Sequence, residues 1–200
     1  MLFISFAYIL MLKTTTTIIE NLFSINVEYI LVGKLNYLFL TIGASSRVDY
    51  GEMKVAEVGE ILSSNFLSVL MAVQIFRPQF VESGKAGVIG FSSVAAIRGR
   101  GKNVIYAASK RAVESYFESL KLITYSTNVS VQLYRLGFID TYQAYGEHLP
   151  LPKADPKKVA RMVVDNLHRS FGISYYPRYW RAIAILIRLV PLRLYKKATS

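Results

Sequence analysis

The feature that most constrains the fold is a run of short apolar segments, most of them ending near glycine or serine, that alternate with stretches of helical spacing between residues 37 and 176. Y-L-F-L-T-I at 37–42 is the first and stops at Gly43. Its nearly continuous apolar character predicts a strand buried on both faces, as in a parallel sheet. Over 55–74, Ile61, Leu62, Phe66, Val69, Leu70 and Val73 recur close to every 3.6 residues and predict a helix, with Gly84 and Gly87 bracketing its exit. Residues 88–91 read as a second strand that runs into Ser92 and Ser93. A loop with Gly99 and Gly101 leads to a long helix over 104–125, for which Asn103 is the expected N-cap. Residues 129–134 alternate weakly and are bounded by Gly137, a third strand; Pro156 can open a helix reaching about residue 168, and 173–176 make a last short strand. This order predicts an α/β domain with a doubly wound parallel sheet of about 4 to 5 strands. No repeat or linker divides it, so 1–200 reads as one domain: an atypical segment 1–36, a core 37–177 and a basic tail 178–200.

An apolar content of 52% in 200 residues is ample for a packed core and excludes a disordered chain. With no cysteine, and with His148 and His168 far from any carboxylate cluster, disulfide scaffolds and metal sites are excluded. The net charge of +11 is uneven: residues 1–90 hold 6 basic and 7 acidic side chains, residues 151–200 hold 11 and 2. The charge thus belongs to the tail, and no nucleic-acid-binding motif accompanies it, so nucleic acid is not an expected partner. The first 12 residues are apolar or weakly polar but shorter than the roughly 20 that a membrane span needs, and they lack the basic start and cleavage site of a secretory signal. They read as a buried strand or short helix, or as a surface anchor.

Y-A-A-S-K at 106–110 places Tyr106 and Lys110 one helical turn apart on one face. An ammonium beside a phenol favours the phenolate, which predicts a lowered pKa and a tyrosine able to give and take a proton. Lys110 is also long enough to reach a ribose hydroxyl. Ser93 closes a strand at the carboxyl edge of the sheet, where open α/β folds bind ligands, and can hold a carbonyl oxygen there; equally, it can satisfy backbone groups at the turn.

The segment 65–141 resembles the short-chain dehydrogenase/reductase family. Ser93 lies thirteen residues before the tyrosine of a Y-x-x-x-K motif, F-S-S-V-A-A at 91–96 resembles the family's strand ending in paired serines, and L-G-F-I-D-T at 136–141 resembles its P-G-x-x-x-T segment. Asn65 stands at the family's helix asparagine. The resemblance implies a Rossmann-like sheet, Tyr106 as acid/base, Lys110 lowering its pKa and binding ribose, Ser93 orienting substrate and Asn65 holding a relay water. It implies further that Gly43, Tyr106, Lys110, Gly137 and Thr141 bind NAD or NADP, with direct hydride transfer between cofactor and substrate. It also implies self-association through the helices 55–74 and 104–125, where Tyr116 and Phe117 are expected on the surface.

The departures are specific. Thr41, Ile42 and Gly43 stand where the family has N-A-G, and Leu136 replaces a proline. No glycine-rich turn precedes Thr41; Gly33 and Gly43 are the first two glycines. Such a turn lets the backbone approach the pyrophosphate, and the position that selects NAD or NADP is unassignable for the same reason. Each βαβ unit takes about 30 residues, so the 36 residues ahead of 37 are too few for the family's first half. The sheet is therefore expected to be incomplete at its N-terminal half, truncated there or joined to a replacement or frame-disrupted segment.

In the tail, 179–190 is almost continuously apolar, with Arg181 and Arg188 seven apart on one side, Arg178 nearby, and Arg193, Lys196 and Lys197 beyond Pro191. A helix of about 18 Å is too short to span a bilayer. It can lie in a membrane interface with Trp180 at headgroup level, or close over the substrate pocket. The expected function is NAD(P)-dependent interconversion of an apolar alcohol with a ketone or aldehyde, in the cytoplasm or at its membrane surface, with contact through 178–197. The alternative is a catalytically silent remnant or a membrane-associated interaction protein.

Overall fold

The computed structural model describes residues 2–3, 9–13, 35–46, 48–82, 86–141 and 151–199. Its strands are β1 (Leu2–Phe3), β2 (Ile9–Lys13), β3 (Leu35–Leu40), β4 (Ser45–Ser46), β5 (Ala86–Ser93), β6 (Val129–Leu136) and β7 (Ile173–Tyr176). The helices are α1 (Val55–Leu62), α2 (Ser68–Glu82), α3 (Val104–Ile123), α4 (Pro156–Asp165), α5 (Trp180–Leu189) and α6 (Leu192–Thr199). The main sheet runs β2-β3-β5-β6-β7. Adjacent strands from β3 to β7 are parallel, joined by helical crossovers as the alternation predicts. β2 pairs antiparallel with β3, Ile9 opposite Leu40. The apolar start of the chain thus supplies an edge strand where the expected core has none, and β1 pairs with β4 in a separate two-stranded ribbon.

β5 is buried on both faces along most of its length, which explains why it reads as an uninterrupted apolar run. It begins at Ala86, earlier than residue 88, so Gly87 lies inside the strand. Gly90 is required there: a Cβ would stand 2.3 Å from Cζ of Phe117. Phe117 is accordingly a core residue at 2% exposure, against its expected place on the surface. Val69, Val73 and Phe76 of α2 and Val113, Phe117 and Leu120 of α3 fill one face of the sheet. Val159 and Val163 of α4 fill the other, against Ile89 and Tyr134. The fold is thus doubly wound, as expected. Val55–Phe80 is long and apolar enough to cross a membrane by composition; one face of it, with Ile61, Asn65, Val69 and Phe76, is buried in the domain.

Candidate active site

Between α1 and α2 the chain forms one π-helical turn, Ser63–Leu67. Such turns insert a residue into an otherwise regular helix and turn a side chain out of register. Asn65 is the side chain so placed, fully buried. Its Oδ1 accepts from the Ala44 amide at 2.5 Å, and its Nδ2 donates to Ala44 O at 2.8 Å and to Ser109 Oγ at 2.9 Å. Asn65 therefore clamps the end of the β3 loop onto α3, and both its N–H groups are committed to protein partners.

The helix α3 carries Tyr106 and Lys110. Its start is held by Asp49, not by Asn103: Asn103 sits in the left-handed region at φ 55 and makes no side-chain cap. The buried Asp49 carboxylate accepts from Ile105 N at 3.1 Å and from Tyr106 N at 3.0 Å. A carboxylate on those amides satisfies two orphan donors and meets the positive end of the helix dipole.

Lys110 is 4% exposed. Its ammonium donates to Ile42 O at 2.7 Å and to Phe91 O at 3.1 Å, bracing the ends of β3 and β5. An ammonium has three donors, so one N–H is left for a ligand. Gly43 lies in front of it, where a Cβ would stand 3.4 Å from Nζ. Burial pushes the Lys110 pKa down from 10.5 to about 8.

The Ser93 hydroxyl lies close enough to the Tyr106 hydroxyl to act on its proton, and Lys110 Nζ lies 6.0 Å from the Tyr106 ring centroid. Burial raises the phenol pKa above 10.0, with the Ser93 hydroxyl and the charge of Arg100 pulling it back only in part. The expected lowering by Lys110 is thus overturned. Desolvation of the phenol dominates, and the cation is turned toward two carbonyls. Ser93 Oγ also accepts from Ala95 N at 3.2 Å, holding the 3-10 turn Val94–Ile97 in place.

The other expected wall is different. Gly137 is covered by Trp180 of α5: a Cβ on Gly137 would stand 1.9 Å from Trp180 Nε1. That nitrogen is buried and has no hydrogen-bond partner among the described residues. Thr141 lies exposed at the end of the described loop, its amide bonded to Ile139 O at 2.9 Å. The residues present therefore fit the nicotinamide ribose at Gly43, Tyr106 and Lys110, but the indole fills the wall that Gly137 was expected to give the nicotinamide. No glycine-rich turn stands among the described residues, and Gly33 lies outside them.

Sequence reading also missed a fully buried ion pair behind the site. Arg135 of β6 is forked onto Glu114 of α3, its Nε donating to Oε1 at 2.6 Å. Ser92 Oγ donates to the same carboxylate at 2.7 Å, and Tyr175 of β7 joins through its hydroxyl. Four elements meet at these side chains. The only local sign was a lone Arg in an apolar strand.

A family model for short chain dehydrogenases matches residues 7–147. The chain belongs to that family. It is 23% identical over 139 residues to the ketoacyl reductase HetN of Nostoc sp., covering 67% of this chain and 48% of that protein. It is 28% identical over 157 residues to hydroxysteroid 11-beta-dehydrogenase 1-like protein A of Xenopus laevis, covering 74% of this chain and 53% of that protein. Its fold matches a short chain dehydrogenase from Burkholderia cenocepacia, crystallised in complex with NADP, with TM-score 0.70 and 19% identity over 82% of this chain and 69% of that one. The chain spans about half the length of these two curated relatives.

Proposed function

We propose that the chain is an NAD(P)-dependent oxidoreductase that reduces a ketone or aldehyde on an apolar substrate to the alcohol. The observation that carries this reading is the approach of the Ser93 hydroxyl to that of Tyr106 at the carboxyl edge of β5, with Lys110 on the same helical face as Tyr106. When bound, the nicotinamide supplies the hydride at its C4 position. Ser93 and Tyr106 hold the substrate oxygen between their hydroxyls, and Tyr106 gives it the proton as charge develops there. A phenol whose pKa lies above 10.0 stays protonated at neutral pH, which suits it to donate. Lys110 offers its remaining N–H to the ribose while its other bonds fix the ammonium beside Tyr106.

One observation favours a second reading, a catalytically silent family member: the indole of Trp180 over Gly137. Titration of the folded protein with NADH and NADPH, followed by cofactor fluorescence, separates the two. Saturable binding that is lost in Lys110→Met supports the enzyme, and its absence at millimolar cofactor defeats it. Whichever nucleotide binds more tightly also settles NAD against NADP.

We also propose that the chain self-associates along α2 and α3. Leu67, Met71 and Ile75 form an exposed row at i, i+4, i+8, and Leu122 and Ile123 are exposed at the end of α3. Tyr116, the other aromatic expected on this surface, is half-buried and within 3.3 Å of Gln74 Nε2 across the two helices. Sedimentation that finds only monomer at tens of micromolar would remove this proposal.

A further inference from the structure

The helix α5 has two apolar faces. The inner one buries Trp180 and Ala184, with Ile183 and Ile187 half-buried beside them, and packs on the turn that follows Ser93. Arg98 fixes this seat: its guanidinium donates to Ile187 O at 2.8 Å and to Val190 O, and stacks 4.4 Å from the Tyr195 ring centroid. The outer face carries Ala182, Ile185, Leu186 and Leu189 at i, i+3, i+4 and i+7, all exposed, Leu189 to 74%. Leu192 and Leu194 continue the exposed apolar surface in α6. A surface helix normally buries one stripe and turns polar residues outward; here large aliphatic side chains project from the side opposite the seat.

Charge decides what covers them. Arg181, Arg188, Arg193 and Lys196 are exposed around this surface, and no acidic residue follows Asp165 in the chain. A second copy presenting the same face would set cation against cation with no acid in either tail. An anionic lipid leaflet supplies both partners at once, acyl chains for the leucines and phosphate or carboxylate headgroups for the arginines. We infer that α5 and α6 lie in the plane of an anionic membrane surface by this outer face. The site around Ser93 then sits roughly one helix diameter, about 10 Å, from the lipid. The inference does not depend on turnover at Tyr106, because no catalytic side chain takes part in it.

Flotation of the full chain with vesicles of phosphatidylcholine, with and without about one third phosphatidylserine, tests this. Binding is expected to the anionic vesicles and to fall at least about tenfold on pure phosphatidylcholine or in roughly 0.5 M salt. The double variant Leu186→Asp, Leu189→Asp should lose it while circular dichroism and melting stay unchanged, since both side chains already face water. Arg181→Gln with Arg188→Gln should weaken it with the apolar row intact. Unchanged binding by the leucine double variant, equal binding to neutral vesicles, or no binding by folded wild type would overturn the inference. So would a dimer of the wild type, with no lipid present, that the leucine double variant abolishes, since the row would then be covered by a second copy.

Discussion

On one side of the site, Asn65, Ser93, Tyr106 and Lys110 come from a helix turn, a strand and a second helix, tied together through Ala44, Ser109, Ile42, Phe91 and Asp49. On the other, Gly137 and Thr141 come from the exit of β6, and an indole from the tail lies across the first of them. The first wall is held by bonds between side chains and main chain, which keep their geometry whether or not a ligand is present. The second has its main chain tied down, Gly137 N donating to Tyr176 O at 2.8 Å and Asp140 N to Ala154 O at 2.9 Å, but its face is covered by one aromatic side chain whose polar atom has no partner among the described residues. A buried unpaired donor costs roughly 1 to 3 kcal/mol, which offsets part of what burial of the indole and its edge contact with Phe138 contribute.

The largest effect expected on the first wall is in catalysis. Tyr106→Phe should lower any reductase rate by roughly 10²- to 10⁴-fold, about 3 to 5 kcal/mol of transition-state stabilisation. Steady-state kinetics beside a melting curve would check this. A variant keeping a tenth of the activity would show that another group gives the proton. Glu114→Ala should strip Arg135 of its only buried counter-charge among the described residues and destabilise the fold by about 3 to 5 kcal/mol. Denaturant unfolding reads it, and a loss below about 1 kcal/mol would mean that the ion pair is not what binds α3 to β6.

The second wall breaks differently. Gly137→Ala should push Trp180 off its seat and cost roughly 1 to 3 kcal/mol, seen as a red shift in the emission of the chain's one tryptophan. If cofactor affinity rises in that variant, Trp180 is a removable cover; if it falls, Gly137 is needed bare. For Lys110 the test is pH. Between about 8 and 10.5 the folded chain has released the Lys110 proton and the unfolded chain still holds it, so stability from this group rises with pH across that window. Activity should fall over the same range as the ammonium is lost. Above about 10 the raised phenol of Tyr106 acts in the opposite sense on stability. Parallel trends in both would place the titration elsewhere. The smallest effect belongs to Asp49→Ala, about 0.5 to 2 kcal/mol for a lost cap, with a larger loss of activity than of stability if the cap sets the pose of Tyr106.

The same two walls differ in how far they could be read from residues alone. Strands at 37–42, 88–91, 129–134 and 173–176 and the helices between them were legible because each periodicity is local, and the convergence of Ser93 with Tyr106 follows from a strand and the helix after it. What brings Asp49 to α3 is a contact across 56 residues, and the nearby Asn103 offered a false local cap. The π turn is silent in sequence, because a helix with one extra residue keeps nearly the same apolar spacing on either side. Glu114 sits in a helix where a carboxylate usually faces water, and only the arrival of Arg135 makes it a core residue. Trp180 reaches Gly137 from another element, which no spacing predicts. The antiparallel β2 was likewise open, since a short apolar run fits a strand in either direction.

Lys110 and Asn65 spend most of their polar atoms on main-chain groups that would otherwise be stranded, and this bears on how such a protein ages. In a lineage that no longer needed turnover, drift at either position would still be penalised by the fold. Loss of the Tyr106 hydroxyl would cost the fold little. Two of the four motif matches are therefore what a retired enzyme would keep as readily as a working one, and a single phenolic oxygen is the better record of whether chemistry is still under selection.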